Sequence, residues 1–133
     1  MTQPSILVVD DNPTNLKLVS DVLAFDGYHV LQAADAEVAQ ELLRRTLPDL
    51  ILMDIALPGM DGLTLTRQLK ADGRTSHILI VALTAFAMKG DERRALEAGC
   101  DGYITKPFDT RALAGAVAGY LQRATLQQEG SRK

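Results

Sequence analysis

Residues 6–11, with the sequence ILVVDD, combine a structural pattern and a chemical pattern. Four apolar residues, Ile6 to Val9, run without polar alternation into the carboxylates of Asp10 and Asp11. An apolar run of this kind is typical of a strand that is covered on both faces, as in a parallel sheet. Paired negative charge at the end of a buried strand needs positive charge nearby. The stretch therefore predicts a parallel strand that leads into a charged site.

Four further apolar runs follow, and segments with helical periodicity lie between them. The apolar runs are 28–31, 50–53, 78–83 and 103–104, and the helical segments are 12–26, 35–46, 62–71, 88–98 and 110–124. Strands that alternate with helices imply right-handed crossovers and a parallel sheet with helices on both faces. We therefore predict a doubly wound α/β fold.

Polar residues and glycines mark the ends of several predicted elements. Asn12 precedes Pro13 and can cap the first helix, and Asp35 can cap the second. Gly27 can end the first helix. We expect the aromatic residues beside it, Phe25 and Tyr28, to lie in the core.

The length of the chain suits one domain with an ordinary core. The chain has 133 residues, and a domain of that size buries roughly two thirds of its unfolded surface. We place the domain at residues 1–124 and a polar tail at residues 125–133, of which we expect the GSRK end to be frayed.

Composition argues against several classes of protein. The net charge is −3, with no basic excess, so nucleic acid is not an expected partner. The single cysteine, Cys100, excludes an internal disulfide framework and is expected to be packed rather than reactive. No apolar run approaches the roughly 20 residues that cross a bilayer, and the N-terminus does not resemble a signal peptide. We expect a soluble, cytoplasmic protein without a membrane partner.

Reactive side chains follow four of the five predicted strands. They are Asp10 and Asp11 after the first strand, Asp54 at the third, Thr84 at the fourth and Lys106 at the fifth. The carboxyl ends of parallel strands meet at one edge of the sheet, so these side chains should converge. Three carboxylates repel one another unless cations are supplied. Lys106 supplies one positive charge, and Mg²⁺, or Mn²⁺ in its place, would supply two.

Each of these residues also has an ordinary structural interpretation. An acid before the first helix could interact with the helix dipole, and Asp54 could begin a turn. Thr84 and Lys106 could simply end their strands. Because such residues occur at four strand ends together, we favour a shared site.

A site of this composition suits phosphoryl transfer. An aspartate can attack phosphorus and form an acyl phosphate, and a carboxylate nucleophile needs no general base. Such transfer depends on positioning and on neutralising the phosphoryl oxygens, which a cation, Lys106 and Thr84 could do. His29 and His77 do not lie at the predicted edge, so we interpret both as structural or solvated.

Four motifs, in order along the chain, carry a resemblance to a known family. They are the acidic pair at 10–11, LMDIALPGMDG around Asp54, ALTA around Thr84 and KP at Lys106, and successive spacings of 43, 30 and 22 residues separate Asp11, Asp54, Thr84 and Lys106. Over residues 5–123 the chain resembles the CheY-like receiver domains of response regulators in two-component signalling. It looks most like single-domain, DivK-type cell-cycle regulators, although receivers of hybrid sensor kinases share these motifs.

The resemblance implies both a fold and an activity. The fold would be a flavodoxin-like (βα)5 three-layer sandwich with strand order 2-1-3-4-5. Asp54 would accept a phosphoryl group from a phosphohistidine of a sensor histidine kinase or a histidine phosphotransfer protein. The protein would be a switch that catalyses only its own phosphorylation and slow dephosphorylation, and it would contact a downstream target.

The resemblance also implies roles for individual residues. Asp11, Asp54 and the carbonyl of Ala56 would ligate Mg²⁺, and Asp10 would act mostly through metal-bound water. Lys106 would pair with Asp54 and then with the phosphate, to which Thr84 would also bond.

The expected switch surface comprises strand 4, helix 4, strand 5 and helix 5. Tyr103 matches the family's switch aromatic, and Pro107 would follow a cis peptide. Arg93 and Arg94 on helix 4 are candidates for target docking, although a plain solvated face is an equal alternative. We expect a monomer or a weak, phosphorylation-dependent dimer.

Two positions beside the path of hydrolytic water differ from common variants of the family. Ala56 offers no polar side chain, and Phe86 is bulky and apolar. We therefore predict slow self-dephosphorylation, and a short-lived acyl phosphate in Mg²⁺ buffer would contradict this prediction.

Three other functions compete with a phosphoacceptor switch. A hydrolase of the haloacid dehalogenase type needs a second aspartate two residues after the nucleophile, where this chain has Ala56. A nucleotide-binding domain would carry G-x-G-x-x-G or G-x-x-x-x-G-K-[ST], and neither appears. A phosphorylation-independent interaction module remains open, as does a receiver that belongs to a hybrid histidine kinase.

Overall fold

Five strands and five helices alternate along the chain. The computed structural model describes residues 3–54, 62–84, 89–105 and 110–131, with side chains at 3–54, 62–83, 93–104 and 111–123. The elements are β1 (Ser5–Val9), α1 (Pro13–Phe25), β2 (His29–Ala33), α2 (Ala36–Arg45), β3 (Leu50–Asp54), α3 (Gly62–Ala71), β4 (Leu79–Thr84), α4 (Lys89–Ala98), β5 (Gly102–Thr105) and α5 (Thr110–Ser131).

The strands form one parallel sheet in the order β2-β1-β3-β4-β5, which confirms the predicted fold. The chain moves outward from β1 to β2 on one side and then crosses to β3 on the other. Sites in open α/β sheets form where the strand order reverses in this way. In this sheet that position lies between the carboxyl ends of β1 and β3.

Both faces of the sheet are covered by helices. Side chains from α1 and α5 pack on the face that carries Ile6 and Val8, and side chains from α2, α3 and α4 pack on the face that carries Leu7 and Val9. Because all four of these β1 side chains are fully buried, the strand has no solvent face that would favour a polar residue. This double coverage explains the uninterrupted apolar run.

The predicted helix signals are confirmed. The Asn12 side-chain oxygen accepts hydrogen bonds from the backbone N–H groups of Thr14 and Asn15 at 3.0 and 3.2 Å. The carboxylate of Asp35 accepts one from Val38 at 2.8 Å. Gly27 has a φ of +92°, a conformation that favours glycine after a helix.

Two expectations about the ends of helices were wrong. Phe25 is 91% exposed rather than buried, because it lies two residues, about 200°, around α1 from Leu23, which faces the sheet. Helix α5 continues to Ser131, beyond the end of the predicted helical segment at residue 124. Leucine and glutamines at 126–128 are good helix formers, so the polar composition of this stretch does not end the helix. Tyr28, by contrast, is half-buried and packs against the core as expected.

Cys100 lies among the core residues between α4 and β5. It is buried, and burial raises the pKa of its thiol. A raised pKa lowers the thiolate fraction, which agrees with the prediction of a packed, unreactive cysteine. Among the described residues, no helix is both long enough and apolar enough to span a bilayer.

Lys70 and Asp101 join α3 to the amino ends of β4 and β5. The ammonium group of Lys70 lies 2.9 Å from the Asp101 carboxylate and donates to the carbonyl of Ile78 at 2.8 Å. The same carboxylate oxygen accepts the backbone N–H of Ile80 at 2.8 Å. The two side chains are only 20% and 34% exposed, so this ion pair is better covered than the helical surface pairs. It holds in place the start of β5, the strand that leads to Lys106.

We expect Asp101→Ala to lower the free energy of unfolding by about 1–3 kcal/mol, because it leaves the Ile80 N–H without its acceptor and removes the carboxylate that pairs with Lys70. Glu97→Ala, which removes an exposed ion pair with Arg93 on α4, should cost less than about 1 kcal/mol. Urea unfolding of both variants measures the difference. Equal losses would show that the Lys70–Asp101 pair contributes no more than a surface pair.

Candidate functional site

Strand register brings the acidic residues of β1 and β3 together. Val9 lies beside Met53 in the parallel ladder, and the next residues along are Asp10 and Asp54. The backbone N–H of Asp10 donates to the carbonyl of Ala33 at 3.1 Å, so Asp10 continues the pairing of β1 with β2. Since side chains alternate along a strand, Asp10 and Asp54 share the face on which Ile6, Val8 and Leu52 lie. The backbone therefore determines the proximity of these two acids.

Asp10, Asp11 and Asp54 form one carboxylate cluster. One carboxylate oxygen from each residue lies within 4.8 Å of the others. Asp10 is 0% exposed and Asp54 is 6% exposed, whereas Asp11 is exposed. Two buried acids therefore form the inner side of the cluster, and Asp11 forms its solvent side.

Asp10 has a second interaction that fixes its orientation. Its carboxylate accepts the backbone N–H of Asn12 at 2.9 Å, two residues further on. Asn12 in turn caps α1, so the cluster is joined directly to the start of that helix. Our interpretation of the sequence treated Asn12 as a cap and missed its bond to Asp10. The sequence contained a signal for this bond, because Asp10 lies two residues before the helix cap. An aspartate side chain often accepts a hydrogen bond from the backbone N–H of the residue two positions later in the chain.

The donor set fits a hard divalent cation. Its three carboxylates would concentrate negative charge in a largely buried position, where like charges interact strongly. Mg²⁺ prefers oxygen donors and binds through a few carboxylates together with waters or phosphate oxygens. Because Asp11 is exposed, the cluster meets solvent on one side, as such binding requires.

The other predicted site residues fall at or beyond the described strand ends. Thr84 is the last residue of β4 and lies beside Thr105, the last residue of β5. The ends of β4 and β5 therefore lie side by side at the carboxyl edge of the sheet. Lys106 is the next residue in sequence after Thr105. Lys106, Ala56, Phe86 and Pro107 lie outside the described residues, as does the side chain of Thr84, and their proposed contacts stay predictions.

The predicted switch residues lie on or near the face covered by α4. Tyr103 is half-buried in β5, is paired with Ala82 and packs against the core on that face. Arg93 is exposed and pairs with Glu97 at 3.1 Å, and Arg94 is exposed as well. The structure thus places Tyr103 on the face of β5 that packs against the same core as α4.

A family model for the response regulator receiver domain matches residues 6–118. The polar-differentiation response regulator DivK of Brucella anthropi is 43% identical over 117 residues, which cover 88% of this chain and 95% of that protein. DivK proteins of Brucella ovis and Brucella suis show the same identity and coverage.

Solved structures give the same result. A putative response regulator from Chloroflexus aurantiacus superposes with a TM-score of 0.87 at 33% identity, covering 91% of this chain and 99% of that one. The receiver domain of the sensor histidine kinase PA1611 from Pseudomonas aeruginosa has a TM-score of 0.79 at 37% identity, covering 92% and 97%. That domain was solved with a magnesium ion coordinated in its active-site cleft.

These matches span nearly all of the described fold and include the strands that carry Asp10, Asp11 and Asp54. The resemblance in the sequence motifs is thereby confirmed. The chain belongs to the response regulator receiver domain family of two-component signalling.

Proposed function

We propose that this receiver is a phosphoacceptor switch in which Asp54 accepts a phosphoryl group in the presence of Mg²⁺. The donor would be a phosphohistidine of a sensor histidine kinase or of a histidine phosphotransfer protein. The observation that carries the proposal is the cluster of three carboxylates, with oxygens within 4.8 Å of one another, at the point where the strand order reverses. The domain would not act as an enzyme on separate substrates.

Asp54 is the best nucleophile of the three acids. It ends the central strand β3, which is buried along its whole length, so its backbone is held firmly. Asp10 is fully buried and bonded to Asn12, whereas Asp11 is exposed at the start of a helix connection. In the proposed step a carboxylate oxygen of Asp54 forms a bond to phosphorus. The phosphorus–nitrogen bond breaks, and its electron pair returns to the donor imidazole.

Asp11, Asp54 and the Ala56 carbonyl would hold the cation, with Asp10 acting mostly through metal-bound water. Bound Mg²⁺, or Mn²⁺ in its place, would supply positive charge against the acid cluster and the phosphoryl oxygens. The magnesium ion in the cleft of the related PA1611 receiver supports this proposal. Lys106 would neutralise a further phosphoryl oxygen, and Thr84 would donate a hydrogen bond to the phosphate.

Phosphorylation would be transmitted through Tyr103 to the surface formed by α4, β5 and α5. Tyr103 is half-buried on the face that α4 covers, so a change in its packing would reach Arg93 and Arg94. A downstream target would dock there. Similarity to polar-differentiation regulators supports a role in cell-cycle control, which the protein would perform in the cytoplasm.

A second candidate is a receiver that serves a hybrid histidine kinase. The 37% identity to the receiver domain of the sensor kinase PA1611 favours this alternative. The phosphoryl chemistry would be unchanged, and only the source and destination of the phosphoryl group would differ.

Incubation with acetyl phosphate and Mg²⁺ should add one phosphoryl group to each chain, detected by intact mass. Asp54→Asn should abolish the addition, because the nucleophilic carboxylate is lost. Asp35→Asn is the matched control, since it removes one acid while asparagine still caps α2, and it should be phosphorylated normally.

Two outcomes would contradict the proposal. Continuous release of phosphate over many rapid turnovers would indicate a hydrolase. Absence of phosphorylation in the parent chain, or undiminished phosphorylation of Asp54→Asn, would exclude Asp54 as the acceptor.

Divalent cations should stabilise the parent through the carboxylate cluster. Mg²⁺ at 100 times its dissociation constant should stabilise the parent by about 2.7 kcal/mol. The gain for Asp54→Asn should be smaller, and Asp35→Asn should behave as the parent. Thermal unfolding with and without Mg²⁺ measures these shifts, and an equal gain in all three proteins would argue against a cation at the cluster.

A further inference from the structure

Aspartate is followed directly by glycine at four places in the chain, at residues 26–27, 61–62, 72–73 and 101–102. In such a pair the backbone nitrogen of glycine can attack the side-chain carboxyl group of the aspartate, because glycine has no Cβ to obstruct the approach and its backbone rotates easily. The attack needs a carboxyl group that turns back toward the chain and a glycine N–H that is not held in a hydrogen bond. Three of the pairs lie wholly within the described residues, and they differ in these two properties.

The pair Asp72–Gly73 lies on the surface, in the connection between α3 and β4. Both residues are exposed. The Gly73 N–H makes no hydrogen bond to any described residue. A Cβ added to Gly73 would meet no atom within 4 Å apart from its neighbours in the chain. The nitrogen of Gly73 is therefore accessible, and no bond has to break before it reacts.

A hydrogen bond turns the Asp72 side chain back over Gly73. The carboxylate of Asp72 accepts the backbone N–H of Arg74 at 2.9 Å. This bond closes a ring of atoms that includes the Gly73 nitrogen, so the side chain is folded toward that nitrogen rather than extended into solvent. The turn thus favours contact between the carboxyl carbon of Asp72 and the nitrogen of Gly73.

The pair Asp26–Gly27 lacks the free N–H. Asp26 and Gly27 are exposed, as Asp72 and Gly73 are. The Gly27 N–H, however, donates to the carbonyl of Ala24 at 3.0 Å in the turn that ends α1. Attack by this nitrogen would first have to break that turn, so exposure alone does not make the pair reactive.

The pair Asp101–Gly102 is held at both residues. The Asp101 carboxylate lies 2.9 Å from the Lys70 ammonium and accepts the Ile80 N–H at 2.8 Å. Gly102 is buried in β5, and the hydroxyl of Tyr120 packs so closely over it that a Cβ would not fit. Reaction at this pair would require the start of β5 to open.

We propose that Asp72–Gly73 is a site of spontaneous isoaspartate formation in the folded protein. The nitrogen of Gly73 forms a bond to Cγ of Asp72, and the carboxyl hydroxyl leaves with the amide proton as water, which closes a succinimide ring. A water molecule from solvent then adds to one of the two ring carbonyls. If the bond from nitrogen to Cγ opens, aspartate is regenerated. If the bond from nitrogen to the main-chain carbonyl carbon of Asp72 opens, the chain continues through the side chain as isoaspartate. One water is lost and one is gained, and nothing is oxidised or reduced.

The product would alter the link between this connection and α2. Isoaspartate adds one methylene group to the backbone and removes the carboxylate from its place beside the Arg74 N–H. The Arg74 guanidinium donates to the carbonyl of Arg44 at 3.0 Å, so its position at the end of α2 would shift. The connection leads into the amino end of β4, at the opposite edge of the sheet from Asp54. Phosphoryl acceptance should therefore be retained in the altered chain.

Incubation of the full chain in ¹⁸O-enriched water tests the proposal, because each succinimide that opens retains one ¹⁸O atom. Peptide mapping that separates isoaspartate from aspartate should find label and isoaspartate at residue 72 several-fold faster than at residues 26 and 101. The control is the same incubation in urea. Without the fold, the rates at the three pairs should come together, since each has glycine as the attacking residue.

Two glycine variants test the role of the Gly73 nitrogen. Gly73→Ala should slow the reaction at residue 72 several-fold, because a Cβ on the attacking residue obstructs the nitrogen and restricts its rotation. The added methyl group has open space around it, so the variant should fold as the parent does. Gly115→Ala is the matched control, since it adds the same methyl group at another open, exposed position, on α5, and should leave the rate at residue 72 unchanged.

Any of three results would overturn the proposal. Residue 72 of the folded protein could remain unlabelled, residue 26 or 101 could react as fast as residue 72, or Gly73→Ala could react as fast as the parent. Phosphorylation of Asp54 by acetyl phosphate is measured separately, so each of these results would leave the proposed function standing.

Discussion

The close approach of the carboxylates of Asp10, Asp11 and Asp54 is the constraint on which the site depends. The fold holds these groups together, because hydrogen bonds between β1, β2 and β3 fix the strand register. A site that gathers three carboxylates favours the binding of positive charge. The rest of the molecule can be understood as support for that arrangement. The sheet supplies the register, the two helical layers bury the strands, and the Asn12 cap orients Asp10.

The support extends to the opposite end of the sheet. Lys70 and Asp101 hold the amino ends of β4 and β5, and β5 leads through Tyr103 to the position before Lys106. Helix α4 packs alongside β5. The strand is therefore supported both at its amino end and by a neighbouring helix.

Much of the fold was predictable because its signals are local. Apolar runs without alternation identified the strands, since burial on both faces removes the need for polar residues. Asn12, Asp35 and Gly27 act within a few residues of themselves, so their roles followed from sequence. Phe25 was predicted wrongly because an apolar residue near a helix end has no local signal that tells which side of the helix faces the sheet. The end of α5 was missed because a polar composition does not exclude helix when good helix formers are present.

By itself, the sequence determined the order of strands and helices, the acids and the amine at the strand ends, and the motifs that indicate the family. Those properties depend on residue type and spacing along the chain. Only the tertiary structure decided that Asp10 and Asp54 are buried while Asp11 faces solvent, that Lys70 reaches Asp101, and that Phe25 stands exposed beside Arg111 and Asp26. Lys70 and Asp101, and likewise Phe25 and Arg111, are far apart in sequence. These relations arise from strand register and helix packing, which fix distances and burial that no local pattern encodes.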